Sequence, residues 1–276
     1  MNLQSEIERL LGLPTDAART DGLAIVKEFR AGLNCGEFRA AEKKSAGWQT
    51  NLWVKRGILL AFRIGAIVDR SVPSEFAFFD KDTLPAHLFD LSNGVRVVPG
   101  GSSIRDGAYI GRNVICMPPM FINIGAYVDE GTMVDSHALV GSCAQIGKRV
   151  HLSAAAQIGG VLEPPGALPV IVEDDAFVGG NCGVYEGVIV GARAVLAPGV
   201  ILTGGTAVYD LVREKIYRRS TESPLMIPPG AVLVPGSPPA STDFAASHNL
   251  SLYTPIIVKY RDEKTDASTM LEDALR

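Results

Sequence analysis

Aliphatic side chains recur every sixth residue through the middle of the chain. From Ile122 the steps fall on Val128, Val134, Val140, Ile146, Leu152 and Ile158. After an interruption the same rhythm gives Val172, Val178, Val184, Val190, Leu196 and Leu202, and a shorter run of Ile104, Ile110 and Cys116 precedes both. Four residues after each anchor the side chain is mostly small or β-branched: Ala126, Thr132, Ala138, Ala144, Val150 and Ala156, then Ala176, Cys182, Val188, Ala194 and Val200. A period of six is neither the 3.6 of a helix nor the alternation of a single strand. It predicts a coil of short strands, each with an inward aliphatic and a tight corner to the next. Glycine commonly follows the anchor (Gly111, Gly141, Gly147, Gly159, Gly179, Gly191), as a crowded corner requires.

Such a coil stacks every strand on the coils above and below, which satisfies its backbone groups. The pattern is that of hexapeptide repeats and predicts an all-β core built as a parallel β-helix. Two breaks predict loops thrown out of the coil. One is Met117 to Phe121, where Pro118 and Pro119 remove ladder donors; the other is the step of fourteen from Ile158 to Val172, which contains EPPGALP. Loops leaving a rigid solenoid are natural places for a binding site.

The ends read differently. Residues 1–95 carry helix-like stretches, SEIERLLGL and GLAIVKEFRAGL, and the segment WVKRGILLAFRIGAIV, whose pattern suits helix or strand. They predict an α-rich N-terminal cap, followed by the β-helix over 96–207. Residues 208–276 predict a small C-terminal β extension: a charged hairpin with LVREKIYRR, Pro/Gly turns, the strand SLYTPIIVKY, and a polar tail that frays or forms a helix.

Composition narrows the function. The 276 residues hold 26 basic and 30 acidic side chains, a net charge of -4, which argues against a nucleic-acid or membrane-surface partner. No apolar run reaches the roughly 20 residues of a membrane span. The opening MNLQSEIERLLGL is acidic where a secretory leader is basic, so a cytoplasmic location is expected. The four cysteines lack ligand spacing and read as reduced thiols. The four histidines do not converge as a three-histidine zinc site would, so no metal is expected.

The stretch NIGAYVDEGTMVDSHALVGSCAQIGKRVHLS, followed by IGGVLEP, closely resembles the tetrahydrodipicolinate N-succinyltransferases of lysine and diaminopimelate biosynthesis. The likeness extends to FRAAEK, LLAFRI, FFDK, RVVPGGSSIRDGAYI, EGVIV, VYD and SLYTPIIVK, nearly the whole chain. It implies a homotrimer of left-handed β-helices with active sites between subunits. It also implies succinyl-CoA as co-substrate, with no permanently bound cofactor, and a small cyclic imino-dicarboxylate as acceptor. Asp135 matches the family's functional aspartate, the candidate base or orienting carboxylate. Arg96 matches an arginine that grips a substrate carboxylate, a task suited to a bidentate guanidinium. Ser153, Gly159 and Gly160 lie where the family runs its CoA arm. The cluster Arg213, Lys215, Arg218 and Arg219 offers charge for CoA phosphates or simply a solvated hairpin.

One segment departs from the family. Before EGVIV the relatives carry an arginine and a glutamate, the second active-site carboxylate, where this chain has Asn181 and Gly183. Glu186 persists three residues on, at a different point of the coil. His137 stands where the family has tryptophan, and LSAAAQIGG replaces a glycine-rich LSGG. Three readings follow. Asp135 acts alone or with Glu186 or His137; the donor or acceptor differs, as acetyl-CoA or in tabtoxin-type β-lactam biosynthesis; or the chain is a non-catalytic hexapeptide-repeat protein. An opening at Gly183 would favour the second reading.

Overall fold

A computed structural model describes residues 2–72, 76–221 and 223–264. The polar tail from 265 onward, expected to fray or form a helix, lies outside the described residues. Three helices open the chain: α1 (Leu3–Leu11), α2 (Thr15–Asn34) and α3 (Leu52–Ile64). Asn2 caps α1 by accepting from the Gln4 amide at 3.1 Å. Ile7, Leu10, Phe29, Ile58, Leu60 and Ile64 form the cap's own core. WVKRGILLAFRIGAIV divides at Gly65: the helix ends at Ile64 and a strand, Ile67–Asp69, follows.

The anchors do what their period demands. Each closes a two-residue strand that pairs in parallel with the strand eighteen residues on, as Tyr127–Val128 pairs with Gln145–Ile146. Where a loop intervenes, Gln145–Ile146 reaches Ile171–Val172 instead. Three parallel sheets result, the faces of a triangular prism. The first face runs from Tyr109–Ile110 to Met226–Ile227, the second from Arg96–Val97 to Ala231–Gly236, the third from Ser103–Ile104 to Ile201–Leu202. The anchors and the small residues four positions on fill one apolar core along the prism axis. The fold is a left-handed β-helix.

Corner geometry separates two kinds of position. The third residue after the anchor takes the left-handed conformation, with φ of 70° at Gly131, 62° at His137, 53° at Arg149 and 56° at Asn181. At Gly111, Gly141, Gly179 and Gly191, directly after the anchor, it is the next coil's backbone that crowds: a Cβ on Gly141 would lie 2.6 Å from Gly160 Cα and 2.7 Å from the Gly159 carbonyl carbon. The crowding expected there is real, and its source is close approach rather than unusual dihedrals.

The loop expected at Met117 to Phe121 is not thrown out. Cys116 and Ile122 keep the six-residue step, Met117 N donates to Val134 O at 2.9 Å, and Met120 is buried. The prolines occupy a corner, joined by a cis peptide bond; Pro119 forgoes the amide that the equivalent Arg149, Ala155 and Asn181 donate to the coil before, without breaking the six-residue step. The second expected loop is real, and residues 159–170 leave the corner between the third and first faces. The hairpin Val208–Asp210/Lys215–Tyr217 leaves the same corner further along, after which Met226–Ile227 and Ala231–Gly236 resume the coil. Thr254–Tyr260 then pairs antiparallel with Ala231–Gly236, with Pro235 opposite Pro255. The Tyr253 hydroxyl accepts from the Ile201 amide at 2.6 Å, on the last strand of the third face.

The cap covers the first face. Ala41 and Trp48, in the hairpin Ala41–Lys44/Gly47–Thr50, pack on Ile171 and Ile189. Arg39 lies 3.6 Å over the Tyr127 ring and donates to Gln145 Oε1 at 3.0 Å. Glu173 accepts from Lys43 Nζ at 2.6 Å and Trp48 Nε1 at 2.9 Å. On the other faces, the outward rows (Met133, His151 and Phe177; Phe121, Leu139 and Gln157) are half-buried, and the cap clusters among the described residues do not include them.

Candidate active site

Asp135 follows the anchor Val134 and stands half-buried at the corner between the second and third faces. Its amide is held by Leu152 O at 2.9 Å, and its Oδ1 accepts from the Ser136 amide at 2.7 Å, so the carboxylate is oriented by its own corner. Ser153 occupies the equivalent position one coil on, its amide held by Val178 O at 2.9 Å. Aspartate and serine are therefore stacked on one edge of the third face. His137 sits on the same corner, exposed; its amide donates to Pro119 O and its carbonyl accepts from Gln157 Nε2 at 3.2 Å.

Gly159 and Gly160 stand on the opposite edge of that face, where the two loops leave. A cleft of about 840 Å³ opens there, lined by both glycines, Tyr185, Glu186, Thr203 and Arg219 among others. Its far wall is the 159–170 loop, which the cap pins. Lys55 Nζ donates to Ala167 O at 2.6 Å, and Thr50 Oγ1 reaches the same carbonyl at 3.3 Å. Lys55 is fully buried, and burial lowers its pKa. Glu186 accepts from the Gly204 amide at 2.9 Å, so it braces the base of the hairpin loop while lining the cleft.

The basic cluster separates. Arg213 lies 3.9 Å over the Tyr260 ring, beside Asp210, and only Arg219 of the four lines the cleft. Arg96 is exposed on the first strand of the second face, two strands from the one ending at Val134, roughly 10 Å at ordinary strand spacing. It lines another cleft, of about 560 Å³, with Glu130 and Arg149. One chain thus brings Asp135, Ser153, Gly159 and Gly160 to the two edges of one face, with Arg96 apart from them.

Gly183 does not open space. A Cβ there would lie 2.5 Å from Tyr185 Cε2 and 2.9 Å from its hydroxyl, because the Tyr185 ring is folded over the glycine. Tyr185 escaped the sequence reading. The usable signal was an aromatic directly after an anchor, where every other such position in the repeat is non-aromatic.

Among the described residues no group of three or more His, Cys, Asp or Glu side chains is placed to hold a metal ion. His87 stacks on Phe89 at 4.2 Å and His151 on Phe177 at 4.8 Å. No described helix is long and apolar enough to cross a membrane.

Two family models match the sequence. One, for the tetrahydrodipicolinate N-succinyltransferase N-terminal region, matches residues 2–64; the other, for the hexapeptide repeat of succinyl-transferase, matches residues 169–204. A 2,3,4,5-tetrahydropyridine-2,6-dicarboxylate N-succinyltransferase of Polynucleobacter asymbioticus is 41% identical over 274 residues, covering 98% of this chain and 95% of that protein. The Caulobacter vibrioides enzyme of the same name is 41% identical over 292 residues, covering 100% and 99%. A crystal structure from Campylobacter jejuni shares the fold with a TM-score of 0.53 at 17% identity, over 71% of this chain and 56% of that one.

Proposed function

The chain belongs to the tetrahydrodipicolinate N-succinyltransferase family, and on that premise we propose that it transfers a succinyl group from succinyl-CoA to the nitrogen of tetrahydrodipicolinate. The reaction needs an amine free of its proton, a thioester carbonyl held beside it, and donors for the oxyanion that forms. Alignment of the two reactants in a groove supplies about 7 kcal/mol or more. A carboxylate base adds about a hundredfold.

The observation that carries this reading is the stacking of Asp135 and Ser153 on one edge of the third face while the Gly159–Gly160 cleft opens on the other. The CoA arm enters at the glycines, and the acceptor binds as the hydrate of its cyclic imine, a secondary amine; Asp135 takes or orients its N–H proton as the new C–N bond forms, the thioester C–S bond breaks and CoA leaves as the thiol. Arg96 grips an acceptor carboxylate, in a site completed by a neighbouring subunit. The two faces whose outward rows lie outside the cap clusters suit closed packing of three prisms, and the enzyme works as a homotrimer in the cytoplasm. Glu186 and His137 border this groove as auxiliaries.

A thiol-release assay tests the reading, with tetrahydrodipicolinate or L-2-aminopimelate offered against succinyl-CoA and acetyl-CoA in parallel. Turnover with succinyl-CoA is expected, reduced about a hundredfold or more in Asp135→Asn. A preference for acetyl-CoA would move the assignment to a different acyl donor. Silence with every pair would remove the catalytic reading.

A further inference from the structure

Tyr185 is the one aromatic residue placed directly after an anchor in the repeat, and the coil is cut away to receive it. A Cβ on Gly159 would lie 2.7 Å from Tyr185 Cδ1. A Cβ on Gly183 would lie 2.5 Å from Cε2, 3.0 Å from Cζ and 2.9 Å from the hydroxyl. The two glycines belong to adjacent coils of the third face. Neither has a positive φ, so neither backbone requires glycine for its conformation. What they share is the ring lying on them. Any side chain at either position would push it away.

The ring is thereby held flat on the face that runs between the Asp135–Ser153 edge and the cleft, and it lines the cleft itself. Its hydroxyl end lies over Gly183, and Tyr185 stays half-exposed with no hydrogen-bond partner for that hydroxyl among the described residues. The neighbouring polar side chain, Gln157, is committed: its amide donates to the carbonyls of His137 and Ala155, each at 3.2 Å. A phenol that is fixed, accessible and unpaired on a groove wall is a ready donor, with its side-chain ordering cost already met in the free protein. The ring supplies an apolar wall as well.

We propose that Tyr185 is a ligand-contacting residue for the acyl donor, its ring forming the wall on which the pantetheine arm lies and its O–H donating to a carbonyl oxygen of that arm. The arm carries amide carbonyls and ends in a thioester carbonyl, all acceptors of the kind a phenol satisfies. This rests on the CoA-dependent reading above, since it places the arm beside Gly159. Gly183 and Gly159 are the socket that holds the ring in register.

Calorimetric titration of CoA and of succinyl-CoA into the full-length protein tests this without turnover. Tyr185→Phe keeps the ring and removes one oxygen; it should weaken binding about threefold to tenfold with an unchanged unfolding profile. Gly183→Ala should weaken binding at least as much, by displacing the ring. In a Tyr185→Ala background the same Gly183→Ala change should add nothing, because no ring remains to displace. A purely structural tyrosine gives the opposite pattern, with Tyr185→Phe indistinguishable from wild type. That result overturns the proposal while leaving the CoA reading intact, as would additive effects of Gly183→Ala and Tyr185→Ala. If wild type binds neither ligand, both the CoA reading and this assignment fall. Should Gly183→Ala not fold, the Tyr185→Phe comparison decides alone.

Discussion

Substituting alanine at two corner glycines separates the two demands the corner makes on the chain. Gly131 has φ of 70°, and an added Cβ would meet only Arg149 Cγ, at 3.4 Å. Its cost is the left-handed conformation alone, about 1–2 kcal/mol. Ala155 already occupies the equivalent position of a later corner at φ of 59°, so the coil tolerates such a residue. Gly141 faces backbone. A Cβ there sits 2.6 Å from Gly160 Cα, 2.7 Å from the Gly159 carbonyl carbon, and closer still to Gly160 N. Ordinary contact begins at about 3.5 Å, so neighbouring coils must separate by close to an ångström. That strains the bonds from Gly141 N to Ile158 O, 2.8 Å, and from Val161 N to Ser142 O, 3.3 Å. Overpacking of about 1–3 kcal/mol, with the weakening of two bonds worth about 1 kcal/mol each, gives about 3 kcal/mol or more. Urea unfolding followed by circular dichroism, at one fixed protomer concentration, measures both variants. Equal losses in the two, or a loss below about 1 kcal/mol in Gly141→Ala, would refute the assignment of the post-anchor glycines to close approach.

Other consequences are as direct. Burial pushes the Cys116 and Cys143 thiols from 9.0 to about 12, so the unfolded chain releases these protons first as pH rises. Stability should fall above pH 9 by about 1.4 kcal/mol per pH unit for each thiol, and Cys116→Ala should flatten the slope seen in denaturant titrations. Burial pushes the Glu173 carboxyl up, yet its bonds from Lys43 and Trp48 outweigh that and hold it below 4.5. Its contribution is therefore present above the unfolded value and lost as acid protonates it in the fold. Glu173→Gln should cost about 1.5–3 kcal/mol at pH 7 and soften the acid limb of the stability curve. Lys55→Met removes the bond to Ala167, and with it one tie on the cleft's far wall. We expect a higher KM for succinyl-CoA with kcat little changed, read in the thiol-release assay.

What the sequence made legible was whatever repeats at short range. An inward aliphatic at every anchor declares itself in a single pass, as do the small residues four positions on. The two prolines at 118 and 119 misled because a corner lends the coil before it a single amide, as His137 does to Pro119 O and Asn181 to Ala154 O, and the coil keeps its step when that one bond is forgone. Resumption of the coil after the hairpin was illegible, since the step from Leu202 to Ile227 interrupts the count that identified every other strand. In the candidate site, Asp135 and Gly159 were nominated through family likeness. Their arrangement on two edges of one face depends on which corner each occupies. The Tyr185 socket unites positions 159, 183 and 185, brought together only by stacking, so no local pattern could announce it.

A stack of parallel strands has, in principle, no reason to stop. Each terminal rung presents the same unpaired amides and carbonyls that the rung before it satisfied, and a second molecule could continue the sequence end to end, as fibrils do. Here the polarity of the last sheet is reversed by Thr254–Tyr260, whose antiparallel run cannot be extended by another six-residue coil in register. Pro235 and Pro255, facing each other, withhold amides from that ladder, and the Tyr253 hydroxyl occupies the Ile201 donor on the adjoining edge. The C-terminal segment therefore closes the end of the second face, and one donor at the end of the third, to a further coil in register.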